Sequence, residues 1–349
     1  MTETRNSPAP LLVRALRGER TERAPIWLMR QAGRTDPEYL AFRESCGISL
    51  HDLFLDPDAA ARISLLPKRI GVDAIIVFQD ILTLLAPMGA DFAFDPEPVL
   101  YEPLSTPEAL AGLRPLDPVE GMPHLEPLFR LVQAGADGLP VLGFAGAPLT
   151  LLAFLVEGRG FLRGMPRLHA LLREEPAAVR RALALLADAA AACMRHQLDC
   201  GAAAVQLFES AAFCFTPEEY LDFALPAQQA VFDALRGHGI SIHFAHFPDT
   251  APPLEWLGKA GADVLSLPAT VSIAAARRAL GEGLVVQGNL DNRLLARGPW
   301  ADIEAAARAC LDEGGARGHV FNLGHGLLRE TPHEHVVNLV SLARSIVRA

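Results

Sequence analysis

The sequence PAAVRRALALLADAAAACMRHQLDCGAAAVQLF, residues 176–208, places a helical pattern directly before an apolar run of strand length. In residues 176–198 the apolar side chains form one stripe, made of Val179, Leu183, Leu186, Ala190 and Cys193. This period predicts a helix that buries one side. Residues 203–208 lack the polar alternation of a half-exposed strand, which is typical of a strand covered on both faces in a parallel sheet.

Runs of this strand type recur eight times and alternate with segments of helical period. They lie at residues 25–29, 73–78, 140–145, 203–208, 240–244, 263–267, 284–288 and 319–323. The alternation predicts an α/β fold, a single-domain (β/α)8 TIM barrel over residues 1–349. A doubly wound open sheet is the alternative, but its dinucleotide-binding glycine pattern is missing, because GRGFLRG at residues 158–164 has the wrong spacing. The proline-rich residues 86–127 predict an extended excursion from the barrel.

The composition narrows the class of protein. Half of the 349 residues are hydrophobic, and the net charge of −10 disfavours non-specific binding to nucleic acid or to an anionic membrane. The five cysteines are odd in number and lack CxxC spacing, which predicts free thiols in a reducing compartment. The first residues have no signal-peptide pattern. We therefore expect a cytoplasmic enzyme.

Polar residues that directly follow the apolar runs are the candidates for chemistry, because active sites of TIM barrels lie at the carboxyl ends of the strands. They are Arg30, Arg34, Asp80, Glu209, Ser210 and His325. Arginines four residues apart share one face if the segment is helical, and their planar forks suit carboxylates. Asp80 stands between IIVF and ILTLL, where a buried charge needs a donor or a cation.

Structural interpretations of the same residues stay open. The two arginines can form a solvated helix face, Asp80 can cap a helix, and His325 can serve a tight turn. Ser210 has no GxSxG context, so covalent catalysis has little support. Two histidine pairs, His243 with His246 and His333 with His335, lack the HExxH arrangement and are more often surface or core residues than metal ligands.

Six segments of the chain resemble uroporphyrinogen decarboxylases, in the order found in that family. They are MRQAGR (29–34), DAIIVFQDIL (73–82), GFAGAPLTLLAFLVEG (143–158), AAAVQLFES (202–210), VVQGNLD (285–291) and FNLGHGLLRETP (321–332). The resemblance implies a cytosolic, homodimeric TIM barrel that uses no metal or organic cofactor. Its implied reaction removes carbon dioxide from the four acetate side chains of uroporphyrinogen III and gives coproporphyrinogen III.

The resemblance also assigns residues. It implies catalytic roles for Asp80, Arg30 and Arg34. The carboxylate-binding loop that it implies is made of Arg30, Gln31, Ala32, Gly33 and Arg34. The further substrate contacts that it implies are Ile76, Phe78, Asp80, Phe154, Phe208, Ser210 and His325.

This chain departs from the family pattern at positions that concern substrate fit. Phe154 and Thr35 replace tyrosines of the family, and Gln79 replaces a serine. A non-catalytic tetrapyrrole-binding homologue is therefore one alternative. A zinc-dependent methyltransferase of the same superfamily is another, but it needs a His-x-Cys pair, and the chain reads His243, Phe244, Ala245 at that strand.

Overall fold

The computed structural model describes residues 9–95 and 97–347, and its centre is a curled sheet of seven parallel strands. In chain order the strands are β1 (Ile75–Ile76), β2 (Phe92–Asp95), β3 (Glu97–Leu100), β4 (Val141–Gly146), β5 (Ala204–Glu209), β6 (Ile240–Ala245), β7 (Val264–Ser266), β8 (Val286–Gln287) and β9 (His319–Val320). The sheet order is β1-β4-β5-β6-β7-β8-β9, so each parallel strand pairs with the next one along the chain. All their carboxyl ends therefore lie at the same end of the sheet, which we call its carboxyl edge.

The predicted α/β class and seven of the eight predicted strands are confirmed, but residues 25–29 do not form a regular strand. They make one isolated parallel bridge, between Ile26 and Phe321. The Ile26 carbonyl also accepts a 2.7 Å hydrogen bond from Asp73 N, which lies just before β1. The segment therefore lies between β1 and β9, the two end strands of the sheet. Side chains replace the regular ladder here, since Asp73 Oδ2 accepts from Ile26 N at 2.8 Å and Asn322 Oδ1 from Met29 N at 3.1 Å. An eight-stranded barrel is thus not confirmed.

Helices precede, connect and follow the parallel strands. They are α1 (Leu11–Leu16), α2 (Pro37–Ser45), α3 (Leu50–Leu55), α4 (Pro57–Leu65), α5 (Pro107–Ala111), α6 (Pro118–Gly121), α7 (Leu125–Gly135), α8 (Pro148–Glu157), α9 (Pro166–Glu174), α10 (Pro176–Asp199), α11 (Pro217–Glu219), α12 (Leu225–Leu235), α13 (Leu254–Lys259), α14 (Ile273–Leu280), α15 (Asn292–Arg297), α16 (Trp300–Gly314) and α17 (His333–Ser345). The predicted helix at 176–198 is confirmed as α10, and its apolar stripe is buried against α8, α12 and β4.

The predicted excursion contains the antiparallel hairpin β2–β3 and the short helices α5 and α6. Phe92 of the hairpin packs edge-on against Phe154 of α8, with ring centroids 5.5 Å apart. All five cysteines are free thiols, as the sequence predicted. None of the helices in the described residues combines the length and the apolar character that crossing a bilayer requires.

Buried polar side chains fill part of the space inside the curled sheet. The Gln287 amide group donates to Gln206 Oε1 at 2.9 Å and to Ser266 Oγ at 3.1 Å, while its oxygen accepts from Trp27 Nε1 at 3.0 Å. Gln206, Gln287 and Trp27 have no more than 1% of their surface exposed, so these hydrogen bonds satisfy groups that would otherwise be costly to bury. They connect β5, β7 and β8 with residues 25–29.

We predict that Asp73→Ala destabilises the protein by about 3 kcal/mol, because the carboxylate is buried and joins residues 23–26 to the start of β1. Arg23 binds both of its oxygens, each at 2.6 Å. Urea unfolding of the wild type and the variant measures the loss. Glu304→Ala is the matched control, since it breaks an exposed pair with Arg308 within α16 and should cost less than about 1 kcal/mol. Equal losses in the two variants would contradict the structural role of Asp73.

Candidate active site

The carboxyl edge of the parallel sheet carries the polar residues that the sequence singled out. Asp80 follows β1, and Ser210 directly follows β5. Across the sheet His325 follows β9, and Arg30 follows residues 25–29. Because the strands are parallel and adjacent, these side chains meet above one end of the sheet although they are far apart in the sequence.

The loop that carries Arg30 is a turn and not a helix, so the expected helical face of two arginines is wrong. The N–H of Gln31 donates to Leu28 O at 2.9 Å, and Arg30 has a φ of 65°, which is uncommon for a residue other than glycine. The side chain of Gln31 fixes this turn from inside, accepting from Leu28 N and donating to Ala74 O, each at 2.9 Å. Gln31 is only 4% exposed, so its amide group supports the loop from the interior.

Two glycines allow close approaches around the loop. Gly33 has a φ of 98°, and a Cβ there would lie 2.7 Å from Phe78 Cε2. A Cβ on Gly326 would lie 2.5 Å from Arg30 Cδ. Gly33 thus lets the loop cross the Phe78 ring, and Gly326 leaves space for the stem of Arg30. Ala32 and Gly33 are partly exposed beside them.

Three arginines concentrate positive charge at this edge: Arg30, Arg34 and Arg329. Desolvation by the surrounding protein and the charge of the nearby Arg34 lower the pKa of Arg30, while Asp80 acts in the opposite direction. Burial and Arg329 also lower the pKa of Arg34. Arg329 was missed as a site residue, although it lies within FNLGHGLLRETP, four residues after His325. Such a cluster of mutually repelling cations suits a ligand with several carboxylates.

Asp80 faces this cluster as a partly buried carboxyl group. Its Oδ1 accepts a 2.7 Å hydrogen bond from Leu82 N, so Asp80 caps a turn and is not the helix cap that the sequence left open. Burial raises the pKa of Asp80 to about 6, while hydrogen bonds from the Leu82 and Ile81 backbone and the charge of Arg30 act in the opposite direction. The group is therefore mostly a carboxylate at neutral pH, and it titrates within the physiological range.

Aromatic rings line the cleft between β4, β5 and β6. Phe208 contacts Phe144 and Phe244, with ring centroids 5.5 and 5.3 Å apart. The ring of His325 lies 5.5 Å from Phe244, edge-on. Phe208, Ser210 and His325 are partly exposed, whereas Ile76 and Phe78 are 7% and 8% exposed. The predicted residues are thus present at this edge, but they differ in their accessibility.

Phe154 is not at the surface of the cleft. It has no exposed surface, and its ring lies between Phe92 and Phe161, with centroids 5.5 and 5.7 Å away. The sequence could not reveal this position, because the hairpin residue Phe92 that covers it lies 62 positions earlier, a separation set only by tertiary packing. A contact between Phe154 and a ligand would require the covering side chains to move.

Glu209 is a second buried carboxyl group, next to Ser210 in the sequence. It accepts hydrogen bonds from Thr150 Oγ1 and from Gln228 Nε2, the latter at 3.1 Å. Burial raises its pKa to about 7, although both hydrogen bonds act in the opposite direction. The side chain is turned away from the cleft, and it ties the end of β5 to α8 and α12.

A curled parallel sheet with an arginine cluster and the carboxyl group of Asp80 at its carboxyl edge defines an α/β protein of the TIM-barrel-like class. A solved methyltransferase from Methanosarcina mazei shares this fold, with a TM-score of 0.80 and 17% identity over 97% of this chain and 99% of that one. The family model of uroporphyrinogen decarboxylase (URO-D) matches residues 7–346. The chain belongs to this family.

Full-length relatives support the assignment to this family. The uroporphyrinogen decarboxylase of Streptomyces coelicolor is 40% identical over 333 residues, which cover 94% of this chain and 92% of the relative. That of Thermus thermophilus is 38% identical over 340 residues, covering 96% and 98%. The similarity therefore extends over the sheet, the helices and the cleft together.

We predict that Arg30→Met raises the pKa of Asp80 above its value of about 6, because the charge of Arg30 favours the carboxylate form. Arg34→Met is the matched control and should leave this pKa unchanged, since Arg34 is not among the charges that act on Asp80. Carbon-13 NMR of aspartate-labelled protein measures the titration, with the resonance assigned by its loss in Asp80→Asn. An equal shift in both arginine variants would mean that the electrostatic field at Asp80 has another source.

Proposed function

We propose that this protein removes carbon dioxide from the four acetate side chains of uroporphyrinogen III, giving coproporphyrinogen III in the haem pathway, without a metal or an organic cofactor. Relatives named uroporphyrinogen decarboxylase, 37–40% identical over nearly the whole chain, support the reaction. The proposal depends on one structural observation: the partly buried carboxyl group of Asp80 lies close to Arg30 and its neighbouring arginines.

The chemistry of the proposed decarboxylation explains why the site contains a carboxyl group. An acetate on a pyrrole loses carbon dioxide readily once a ring carbon is protonated, because the cationic ring then accepts the electron pair of the breaking bond. Loss of carbon dioxide leaves an exocyclic methylene. This carbon gains a proton to become the methyl group, and the ring carbon gives up the proton it had received. Each cycle therefore consumes one proton net and releases one carbon dioxide. In this proposal the Asp80 carboxylate accepts the pyrrole N–H groups and stabilises the cation as it forms. Electrostatic preorganisation and positioning supply most of the barrier lowering, which is about 8–23 kcal/mol in enzymes generally.

The arginines have two tasks in this proposal. Arg30 and Arg34 bind carboxylates of the substrate together with the backbone of Gln31, Ala32 and Gly33. Arg30 is also the proposed proton donor, because its cationic N–H groups lie close enough to Asp80 for the two charges to interact.

The remaining contacts are assigned by their place at the cleft. Ile76, Phe78 and Phe208 form the apolar walls beside the macrocycle, while Ser210 and His325 donate or accept hydrogen bonds at its edge. Phe154 belongs to this set only if the Phe92 hairpin shifts when substrate binds, because the ring has no exposed surface in the free protein.

We extend the proposal to the finer features of the fold and assembly. Residues 25–29 take the place of an eighth strand and close the sheet into a barrel, supported by the bridge between Ile26 and Phe321 and by the hydrogen bond to Asp73 N. A homodimer in the cytoplasm is the assembly and location that the family resemblance favours. Sedimentation equilibrium of the purified protein tests the dimer.

The deciding experiment is anaerobic incubation of the metal-stripped protein with uroporphyrinogen III, followed by oxidation and separation of the porphyrins by their number of carboxylates. Stepwise loss of carboxylates down to coproporphyrin is the expected result. Unchanged substrate despite binding would favour the tetrapyrrole-binding homologue. Activity that returns only with zinc would favour chemistry of the methyltransferase type.

We predict that Asp80→Asn lowers kcat on the order of 10²–10³-fold, the range found when one preorganised electrostatic group is removed. The amide keeps the shape of the side chain but cannot offset the positive charge of the protonated pyrrole. Steady-state rates with uroporphyrinogen III measure the loss. Asp91→Asn, an exposed aspartate at the start of the hairpin, is the control and should retain full activity. Near-normal turnover of Asp80→Asn would remove Asp80 from its central role.

A further inference from the structure

His246 brings a second imidazole to the candidate active site. It directly follows β6, and its N–H donates to Glu209 O at 3.0 Å, which fixes the backbone beside Ser210. The His246 ring lies 4.2 Å from the ring of His325, measured between centroids, and packs edge-on against Phe213 at 5.1 Å. His246 is partly exposed, so a ligand in the cleft can reach it.

The charged groups around the two imidazoles keep both of them neutral. Burial, Arg30 and Arg293 lower the pKa of His246 to about 4, while Asp249 acts in the opposite direction. Burial, Arg30, His246 and Arg34 lower the pKa of His325 well below its ordinary value, while a hydrogen bond with the Gly326 backbone acts in the opposite direction. The Glu209 carboxyl group does not contribute to this balance, since it binds Thr150 and Gln228 on the other side of β5.

We infer that His246 is a further binding residue for the carboxylates of the substrate, neutral in the free cleft and cationic once a polycarboxylate occupies the arginine cluster. This inference rests on the proposed function, because it needs a ligand with several carboxylates beside Arg30. Among the four histidines of the two pairs in the sequence, His246 is the one whose ring packs against another imidazole, that of His325. Its pair member His243 is buried against Phe232.

The reason is electrostatic. A carboxylate bound to Arg30 offsets the positive charge that disfavours protonation of His246, and it adds an attraction of its own. Only one of the two imidazoles can gain a proton, because two imidazolium rings at this distance would repel each other. His246 is the one that protonates, since it faces Asp249 and is less deeply buried than His325. Arg30 acts on both rings, but Arg34 acts on His325 alone.

This coupling predicts a pH dependence with a definite sign. Above the free pKa of about 4, His246 is neutral in the empty cleft, so binding takes up a proton wherever the pKa in the complex exceeds the pH. Affinity for a polycarboxylate should therefore increase as the pH falls from about 8 toward about 6.

Titration calorimetry tests the inference with uroporphyrin I, the stable oxidised macrocycle that retains all its carboxylates. Measurements in buffers of different ionisation enthalpy give the number of protons taken up on binding. We expect wild-type uptake to approach about one proton near pH 6. His246→Phe keeps the ring packing, and His246→Gln keeps a hydrogen-bonding side chain. Both should lose most of the uptake and bind about tenfold more weakly near pH 6, but almost normally near pH 8.

His238→Gln is the matched control, because it removes an exposed histidine near the opposite end of β6 and should leave uptake and affinity unchanged. Proton uptake by Asp80 is common to all these proteins, so the difference between wild type and the His246 variants isolates the imidazole. Carbon-13 NMR of histidine-labelled protein gives a direct readout, since the Cε1 resonance lost in His246→Phe should titrate at a higher pH when uroporphyrin I is bound.

The outcomes separate this inference from the proposed function. Binding of uroporphyrin I with the same proton uptake in wild type and in both His246 variants would overturn the role of His246 and leave the decarboxylase proposal standing. Failure of the wild-type protein to bind uroporphyrin I at any pH, together with no turnover of uroporphyrinogen III, would overturn both.

Discussion

The site depends on the ion pair and the hydrogen bond that the Asp73 carboxylate makes. It holds Arg23 by both oxygens at 2.6 Å and accepts from Ile26 N at 2.8 Å. Residues 23–26 are thereby fixed beside β1, while Ile26 also bridges to Phe321 beyond β9. Because the Arg30 turn follows within a few residues, this one junction decides that Arg30 faces Asp80.

The cleft is locally positive in a protein whose net charge is −10. Besides burial, Arg34 and Arg329 lower the pKa of Arg30, and Arg329 also lowers that of Arg34, while Asp80 offsets only part of this repulsion at Arg30. A substrate with several carboxylates relieves this repulsion, so part of its binding energy comes from charges that the folded chain already holds in place. Asp80 has the opposite charge, and its carboxylate can stabilise a cationic ring.

The sequence by itself determined the parallel α/β class, seven of its strands and the long helix α10, because these depend on local hydrophobic period and length. It also predicted which residues lie at the carboxyl ends of the strands. Since parallel strands place their carboxyl ends at one edge, Arg30, Asp80, Ser210 and His325 could be assigned to a common site from their positions after apolar runs. The family followed from six short segments in register.

Only the tertiary structure decided how these side chains are oriented and covered. Gln31 faces the interior because Leu28 and Ala74 offer its amide better partners than the cleft does. Phe154 is hidden because a distant hairpin packs on it. Residues 25–29 are irregular since side chains replace their ladder partners, and His246 joins His325 only because β6 and β9 face each other across the curled sheet. Each of these features comes from contacts between residues far apart in sequence, which no local pattern encodes.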